Sequence, residues 1–270
     1  MFRSQRDVFV PKEKEICFFN KDSNFKKGID WYHSHFSKHS KEKAIGEISP
    51  PYFHRGIRLG ADNSHIFSDE DSAERIAKYN KNIRIIITLR NPLDRFISQF
   101  WKNFLKDPEN LSMEESVQKE LKGIRTEKNS PFCFLYKNSY LIHLRHWFSK
   151  FDKKQIKILI FEEWIKEQHV TLNDVADFLE FDYDSSRSRE NLHRNSGERY
   201  LNEIKNSLDE KNQDSKLKEN FSSKKTKDNG YYPPISNTVL ETLNSVFQKE
   251  ITDLENLLER RLECWKLLSQ

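Results

Sequence analysis

Two short segments of nearly continuous apolar residues stand out along an otherwise polar chain. One runs from Ile83 to Leu89 and the other from Ile156 to Phe161. Uninterrupted apolar runs of this length are typical of strands that are covered on both faces, as in a parallel α/β sheet. The pattern therefore predicts two buried, parallel strands.

Elsewhere the apolar residues recur at helical spacing. Such stripes predict amphipathic helices that face a hydrophobic core, and the last of them predicts a C-terminal helix over residues 236–266. The stripes are Phe96, Ile97, Phe100, Trp101, Phe104 and Leu105; Tyr140, Leu141, Leu144, Trp147, Phe148 and Phe151; Leu172, Val175, Phe178 and Leu179; and Leu240, Leu243, Val246, Phe247, Ile251, Leu254, Leu257, Leu258, Leu262 and Trp265.

The junction between the first strand and the helix after it carries groups that suit a phosphate. Arg90 stands at the end of the strand, and Ser98 lies about two turns into the helix. Asn91 can cap this helix and Pro92 fits its first turn. Arg90 and Ser98 can then converge on one anion near the helix start, where free N–H groups already favour negative charge. The alternative is that they are a surface charge and a solvated hydroxyl.

The segment from Leu89 to Ser98 resembles the 3′-phosphate-binding segment of sulfotransferases that use 3′-phosphoadenosine 5′-phosphosulfate (PAPS), written Leu-Arg-(Asp/Asn)-Pro-x-(Asp/Glu)-Arg-x-x-Ser. The resemblance implies that Arg90 and Ser98 hold the 3′-phosphate of PAPS and of its product PAP. It also implies a three-layer α/β/α fold with a central parallel sheet, similar to P-loop NTPases, in a single domain over residues 1–270.

The segment from Pro11 to Phe19 is similar to the Lys-Glu-x-His-Phe-Phe segment of heparan sulfate type sulfotransferases and their bacterial relatives. This resemblance puts Glu15 on the carboxylate that serves as general base, and Cys17 on the family's histidine. A carboxylate held among the apolar residues that follow it would be desolvated, which makes it a stronger base for a sugar hydroxyl. The alternative is that Glu13 and Glu15 belong to a solvated charge run.

Two further segments, Gly28–Tyr32 and Gly46–Phe53, resemble the family patterns Gly-x-x-Trp-Tyr and Gly-Glu-Lys-(Ser/Thr)-Pro-x-Tyr. The resemblance implies that Glu47 and Tyr52 contact the acceptor, although Tyr52 could equally belong to the core. Ile48 replaces the lysine with which related enzymes hold an anionic acceptor. We therefore do not expect a heparan-like substrate.

Residues 184–230 are rich in Ser, Arg, Asn, Lys and Asp and predict a polar insertion or lid. Their last part stands where the family places a basic loop over the 3′-phosphate, so Lys225 or Lys227 could bind that phosphate. A solvated basic turn is the equal alternative.

The family's 5′-phosphosulfate loop, a strand followed by Lys-x-Gly-Thr-Thr, has no match here, since none of the seven glycines precedes a Thr-Thr or Ser-Thr pair. By position, the loop and the first strand of the sheet are expected upstream of Met1. The remaining alternatives are a truncated, non-catalytic relative and a substitute segment.

The 46 basic and 42 acidic residues give a net charge of only +4, which argues against a nucleic-acid partner. We see no signal peptide and no membrane-spanning run, so a cytoplasmic location is expected. Cys17, Cys133 and Cys264 are widely spaced and predict buried free thiols, and no cluster has the spacing of metal ligands.

These observations predict a PAPS-dependent sulfotransferase that moves a sulfuryl group to a hydroxyl or amine, with a carbohydrate as the first candidate acceptor. The acceptor's identity and the oligomeric state stay open at this point. The main alternative is a relative that binds PAP or a glycan without turnover. A phosphoryl-transfer enzyme would need a Gly-Lys-Ser/Thr triplet, which is absent, and a generic α/β interaction module would bind no PAP.

Overall fold

The computed structural model describes residues 2–59, 65–67, 70–106, 112–122, 134–187 and 235–265. The strands are β1 (Val8–Phe9), β2 (Ala44–Ile45), β3 (Ile57–Leu59), β4 (His65–Phe67), β5 (Ile85–Leu89) and β6 (Ile156–Ile160). The helices are α1 (Asp22–Phe25), α2 (Ile29–Ser34), α3 (Ser72–Tyr79), α4 (Pro92–Lys106), α5 (Met113–Leu121), α6 (Phe134–Asn138), α7 (Tyr140–Lys150), α8 (Phe161–Lys166), α9 (Gln168–Leu179) and α10 (Asn237–Leu258). Short 3₁₀ turns cover Phe2–Ser4, Pro50–Phe53, Lys153–Gln155, Ser185–Arg187 and Glu263–Trp265.

The chain divides into two compact units. The first comprises residues 1–90, 127–130 and 140–192, and the second comprises residues 91–126, 131–139 and 193–270. All the strands named above belong to the first unit together with α1–α3 and α7–α9, whereas α4–α6 and α10 belong to the second. Each unit is described by itself below.

The parallel pair β5 and β6 confirms the two strands predicted from the apolar runs. Their register pairs Ile85 with Ile156 and Leu89 with Ile160. Ile87 and Leu89 are buried, but Ile86 is 37% exposed and Thr88 is also exposed. Within the described residues, only one face of β5 is therefore covered. For these residues, the prediction that both faces of this strand are covered is wrong. Successive residues of a strand point to opposite faces, so Ile86 and Thr88 share the accessible face.

Two smaller strand pairs complete the described strands of the first unit. β1 and β2 pair in parallel, with Val8 opposite Ala44. β3 and β4 pair antiparallel, with Ile57 opposite Phe67. The strands of the described residues thus occur as three pairs.

The start of α4 agrees with its prediction. The side-chain oxygen of Asn91 accepts hydrogen bonds from the backbone N–H groups of Leu93 at 3.0 Å and Asp94 at 3.4 Å. Pro92 occupies the first helical position, where a missing N–H costs nothing. A polar cap and a proline therefore fix the helix at the residue that the sequence indicated.

Helices α4, α5, α6 and α10 share the core of the second unit. Helix α10 is capped by Ser236, which accepts from Val239 N–H at 3.3 Å, and it ends at Leu258, before Glu259, whose φ of 55° is left-handed. The predicted helix over 236–266 is therefore shorter than expected. The core contains Phe96, Phe100, Met113, Val117, Phe134, Leu135, Val239, Leu243 and Phe247.

A half-buried carboxylate joins two helices of this unit. Glu120, near the end of α5, accepts hydrogen bonds from the first three backbone N–H groups of α6, those of Phe134, Leu135 and Tyr136, at 2.6, 2.8 and 3.4 Å. These groups have no partner within the helix itself, so Glu120 satisfies them. Burial raises the pKa of Glu120 to about 7 even though the three N–H groups favour the charged form.

Of the helices in the described ranges, none combines the length and the apolar character that a membrane span requires.

We predict that Glu120 makes the stability of the protein depend on pH. Because the folded state holds a proton that the unfolded chain releases between pH 4.5 and about 7, the free energy of unfolding falls as the pH rises through this window. The contribution is at most about 3 kcal/mol. Urea unfolding at pH 5 and pH 7.5 should show a smaller loss of stability in Glu120→Gln than in the wild type.

Glu114→Gln is the matched control, since it removes one exposed carboxylate from the same helix. The prediction is wrong if Glu120→Gln and the wild type lose the same stability between the two pH values.

Candidate functional site

The segment from Pro11 to Asn20 crosses from β1 to α1 in an unusual backbone conformation. Glu15 and Cys17 both have a φ of 53°. The left-handed region costs a residue with a side chain about 1–2 kcal/mol, and such strain persists only where neighbouring groups hold the chain. Two strained residues so close together indicate a backbone fixed by its surroundings.

The segment from Glu47 to Tyr52 supplies this support. The N–H of Glu15 donates to the carbonyl of Ile48 at 3.1 Å, and the N–H of Phe19 donates to the hydroxyl of Tyr52 at 3.3 Å. A longer contact of 3.5 Å joins the N–H of Cys17 to Oγ of Ser49. We call residues 15–19 the base loop and residues 47–52 the support segment.

A buried arginine fixes the base loop from the other side. Arg75 of α3 donates through Nη1 to the carbonyl of Phe19 at 3.2 Å and through Nη2 to Asp22 at 3.0 Å. Its guanidinium lies 3.8 Å from the centre of the Phe25 ring. Asn24 adds a bond from Nδ2 to the carbonyl of Ile16 at 2.9 Å. The base loop is therefore bound along its length.

The hydroxyl groups around the support segment converge on one carboxylate, that of Glu47. Oε1 accepts from Tyr32 at 3.1 Å and from Tyr52 at 2.9 Å, and Oε2 accepts from Ser49 at 3.0 Å. Burial raises the pKa of Glu47 and outweighs the three hydroxyls, which act in the opposite direction. Burial and the nearby Glu47 charge raise the pKa of both tyrosines, so these hydroxyls stay donors at neutral pH.

The predicted base, Glu15, is exposed, so the expectation that its neighbours desolvate it is wrong. The left-handed turn sends Ile16, Phe18 and Phe19 into the core, at 5%, 2% and 3% exposure, while the carboxylate of Glu15 faces solvent. An exposed carboxylate on a rigid turn can reach a bound hydroxyl directly. Its role as general base stays a prediction.

Cys17 is buried, in agreement with the prediction for this thiol. Burial, together with the charges of Glu15 and Glu47, raises its pKa to about 11. Cys264 is also a free thiol and is half-buried, while Cys133 lies outside the described residues.

Ile48 presents an apolar surface beside the base loop. Its side chain is 60% exposed, although its carbonyl binds the N–H of Glu15. The neighbouring Glu47 points into the hydroxyl cluster instead. This alternation along the support segment separates a buried polar side from an accessible apolar one.

Arg90 follows the carboxyl end of β5 and belongs to the first unit. Its carbonyl accepts a hydrogen bond from the hydroxyl of Tyr140 at 2.8 Å, and its guanidinium lies 5.4 Å from the centre of the Phe161 ring. Among the described residues no carboxylate forms an ion pair with Arg90. An aromatic face supports the cation without neutralising it, which suits an anion-binding arginine.

Ser98 lies in α4 of the second unit and is half-buried. Lys225 and Lys227, and the predicted insertion beyond residue 187, lie outside the described residues. The structure thus brings together Glu15, Glu47 and Tyr52 in the first unit, and the pairing of Arg90 with Ser98 stays a prediction.

Two residues of this site, Ser49 and Arg75, are not predicted from the sequence. Ser49 lies inside the Gly46–Phe53 segment, and its position two residues after Glu47 is the sequence signal that could have identified it. Arg75 is one of several charged residues of a polar helix, so nothing in the sequence marked it as buried.

The chain matches the sulfotransferase domain family over residues 1–255, and it therefore belongs to this family. It is 28% identical over 171 residues to heparan sulfate glucosamine 3-O-sulfotransferase 5 of Mus musculus, covering 63% of this chain and 45% of that protein. It is 30% identical over 123 residues to membrane-associated sulfotransferase kil1 of Dictyostelium discoideum, covering 42% of this chain and 23% of that protein. The chain thus matches less than half the length of these relatives.

A solved structure extends the comparison to the fold. The sulfotransferase from Alicyclobacillus acidocaldarius superimposes with a TM-score of 0.65, at 20% identity, over 98% of this chain and 91% of that one. This likeness confirms the predicted α/β fold class, similar to P-loop NTPases. Within the described ranges, no group of three or more His, Cys, Asp and Glu side chains could hold a metal ion.

We predict that Cys17 reacts slowly with thiol reagents. With a pKa of about 11, its thiolate fraction at pH 8 is about 100-fold below that of an ordinary thiol, and burial slows the reaction further. Iodoacetamide labelling at pH 8, followed by peptide mass spectrometry, should modify Cys17 at least about 100-fold more slowly in the native chain than in urea. The labelling rate of the half-buried Cys264 in the same chain serves as the internal comparison. Equal rates for Cys17 in the native and the denatured chain would contradict the assignment.

Proposed function

We propose that the protein transfers a sulfuryl group from PAPS to a hydroxyl or amine of a carbohydrate. The observation that carries this proposal is the base loop, where an exposed carboxylate, Glu15, stands on a strained turn that hydrogen bonds hold in place. Membership of the sulfotransferase family and the names of the relatives support the type of reaction and the class of acceptor.

The proposed step assigns one proton transfer to the chain. As the acceptor oxygen or nitrogen forms its bond to sulfur, Glu15 takes the acceptor's proton, and the bond from sulfur to the phosphate oxygen breaks to leave PAP. General-base catalysis requires a carboxylate within hydrogen-bond reach of the acceptor, and Glu15 is accessible for this. The rigid turn reduces the freedom that must be lost before reaction.

Arg90 is proposed to bind the 3′-phosphate of the donor, with Ser98 and Lys225 or Lys227 as further predicted contacts. The Arg90 guanidinium rests on an aromatic ring at the end of a parallel strand, where the sheets of α/β proteins bind ligands. PAPS supplies the electrophilic sulfur when it is bound. The contribution of the chain is to hold the donor and to remove the acceptor's proton.

The acceptor is proposed to carry less negative charge than heparan sulfate where it meets Ile48. An exposed isoleucine offers contact area but no positive charge. A neutral sugar face can pack against such a side chain, whereas a sulfate or carboxylate would lose hydration there without a partner.

We expect Glu15→Gln to abolish sulfuryl transfer. The amide cannot take a proton, and loss of a general base lowers kcat by about 10²–10⁴-fold. Transfer of label from [³⁵S]PAPS to a panel of neutral and anionic oligosaccharides measures this effect.

Glu13→Gln is the matched control, because it removes an exposed carboxylate two residues away. Full activity of Glu15→Gln would exclude it as the base. A wild-type chain that binds PAP but labels no acceptor would support the non-catalytic alternative instead.

Arg90→Ala should weaken PAP binding by about 10–100-fold, since a hydrogen bond to a charged group contributes about 1.5–3 kcal/mol. Calorimetric titration and the PAP-induced shift in Tm measure this loss. Arg84→Ala, at the opposite end of β5, is the control and should leave PAP affinity unchanged. An unchanged PAP-induced shift in Arg90→Ala would refute the phosphate site.

A further inference from the structure

We propose that Glu47 is a positioning residue that fixes the base loop, and that it does not contact the acceptor. The inference rests on the proposed function, because it concerns how Glu15 is held for its reaction. It replaces the role that the sequence resemblance implied for Glu47.

Protein groups already occupy most of the acceptor positions of the Glu47 carboxylate. Two oxygens of a carboxylate offer about four acceptor positions. Tyr32, Tyr52 and Ser49 fill three of them at 2.9–3.1 Å. Only one position is left for any other donor. An acceptor hydroxyl that took one of the three filled positions would leave a protein hydroxyl without a partner, at a cost of about 1–3 kcal/mol.

Two of these donors are also acceptors for the base loop. The Tyr52 hydroxyl donates to Glu47 and accepts from the N–H of Phe19, and Ser49 Oγ donates to Glu47 and accepts the longer bond from Cys17. Each hydroxyl has one proton, so donation to Glu47 turns its lone pairs toward the loop. Glu47 thereby orients the Tyr52 and Ser49 hydroxyls so that each can accept a hydrogen bond from the base loop.

The base loop is strained at two of its five residues. Glu15 and Cys17 are left-handed, and the groups that hold Cys17 and Phe19 depend on Glu47. The N–H of Glu15 binds the carbonyl of Ile48, the residue next to Glu47. If the carboxylate were lost, the loop would relax toward ordinary backbone angles and Glu15 would move from its place.

The test compares Glu47→Gln and Tyr52→Phe with the wild-type chain. Amide hydrogen exchange should show protection at Phe19 and Cys17 falling by about tenfold or more in both variants. In the sulfuryl transfer assay, kcat should fall by about tenfold or more, while KM for the acceptor changes less than about twofold. The double variant should lose little more than the worse single variant, because both changes cut the same link.

Tyr79→Phe is the matched control. Its ring packs 5.4 Å from that of Phe19, but its hydroxyl binds His33 and not Glu47. It should keep both the exchange protection and kcat.

The outcomes separate this proposal from the proposed function. A raised KM with kcat and amide protection unchanged would show Glu47 to be an acceptor contact and overturn the inference. A lowered Tm with amide protection and kcat retained would show that Glu47 contributes to stability alone, and this result would also overturn the inference. If the wild type transfers no sulfuryl group, the proposed function fails, and the exchange measurement still decides whether Glu47 fixes residues 15–19.

Discussion

The left-handed backbone at Glu15 and Cys17 is the constraint on which the candidate site depends. Ordinary side chains avoid this conformation, and here it is held by groups that are far away in sequence. Arg75 binds the base loop from one side, and the support segment binds it from the other. The turn places three apolar side chains in the core and leaves the Glu15 carboxylate in solvent. Five consecutive residues therefore supply both core packing and the proposed general base.

Three carboxylates that are buried or half-buried show how burial and hydrogen bonding compete. Burial dominates at Glu47 and Glu120, and their pKa values are raised despite three hydrogen bonds each. Asp71 shows the opposite balance. Burial alone would raise its pKa, but His146 and the N–H groups of Gly56 and Glu74 outweigh it, and the pKa is lowered. A histidine ring that hydrogen-bonds directly to the carboxylate, at 3.0 Å, distinguishes Asp71 from the other two.

Much of the local structure was predictable from the sequence because it depends on short-range rules. The strand before Arg90 and the cap at Asn91 follow from apolar runs and from the chemistry of helix starts, and both are present. The burial of Cys17 followed from its apolar neighbours. The exposure of Glu15 did not, because the direction of a side chain depends on backbone angles that periodicity does not report. The hydrogen bonds between the support segment and the base loop were hidden for a similar reason, since they join residues 32 and 33 positions apart.

The alternation of the support segment gives it two independent properties. Glu47 belongs to a packed polar cluster in which each partner restricts the others, whereas the next residue, Ile48, is 60% exposed and adds only its carbonyl to that framework. Since every residue type except proline keeps the same backbone groups, evolution can vary the side chain at position 48 without disturbing the scaffold. Related chains can therefore diverge in what they recognise while they conserve how the turn is built.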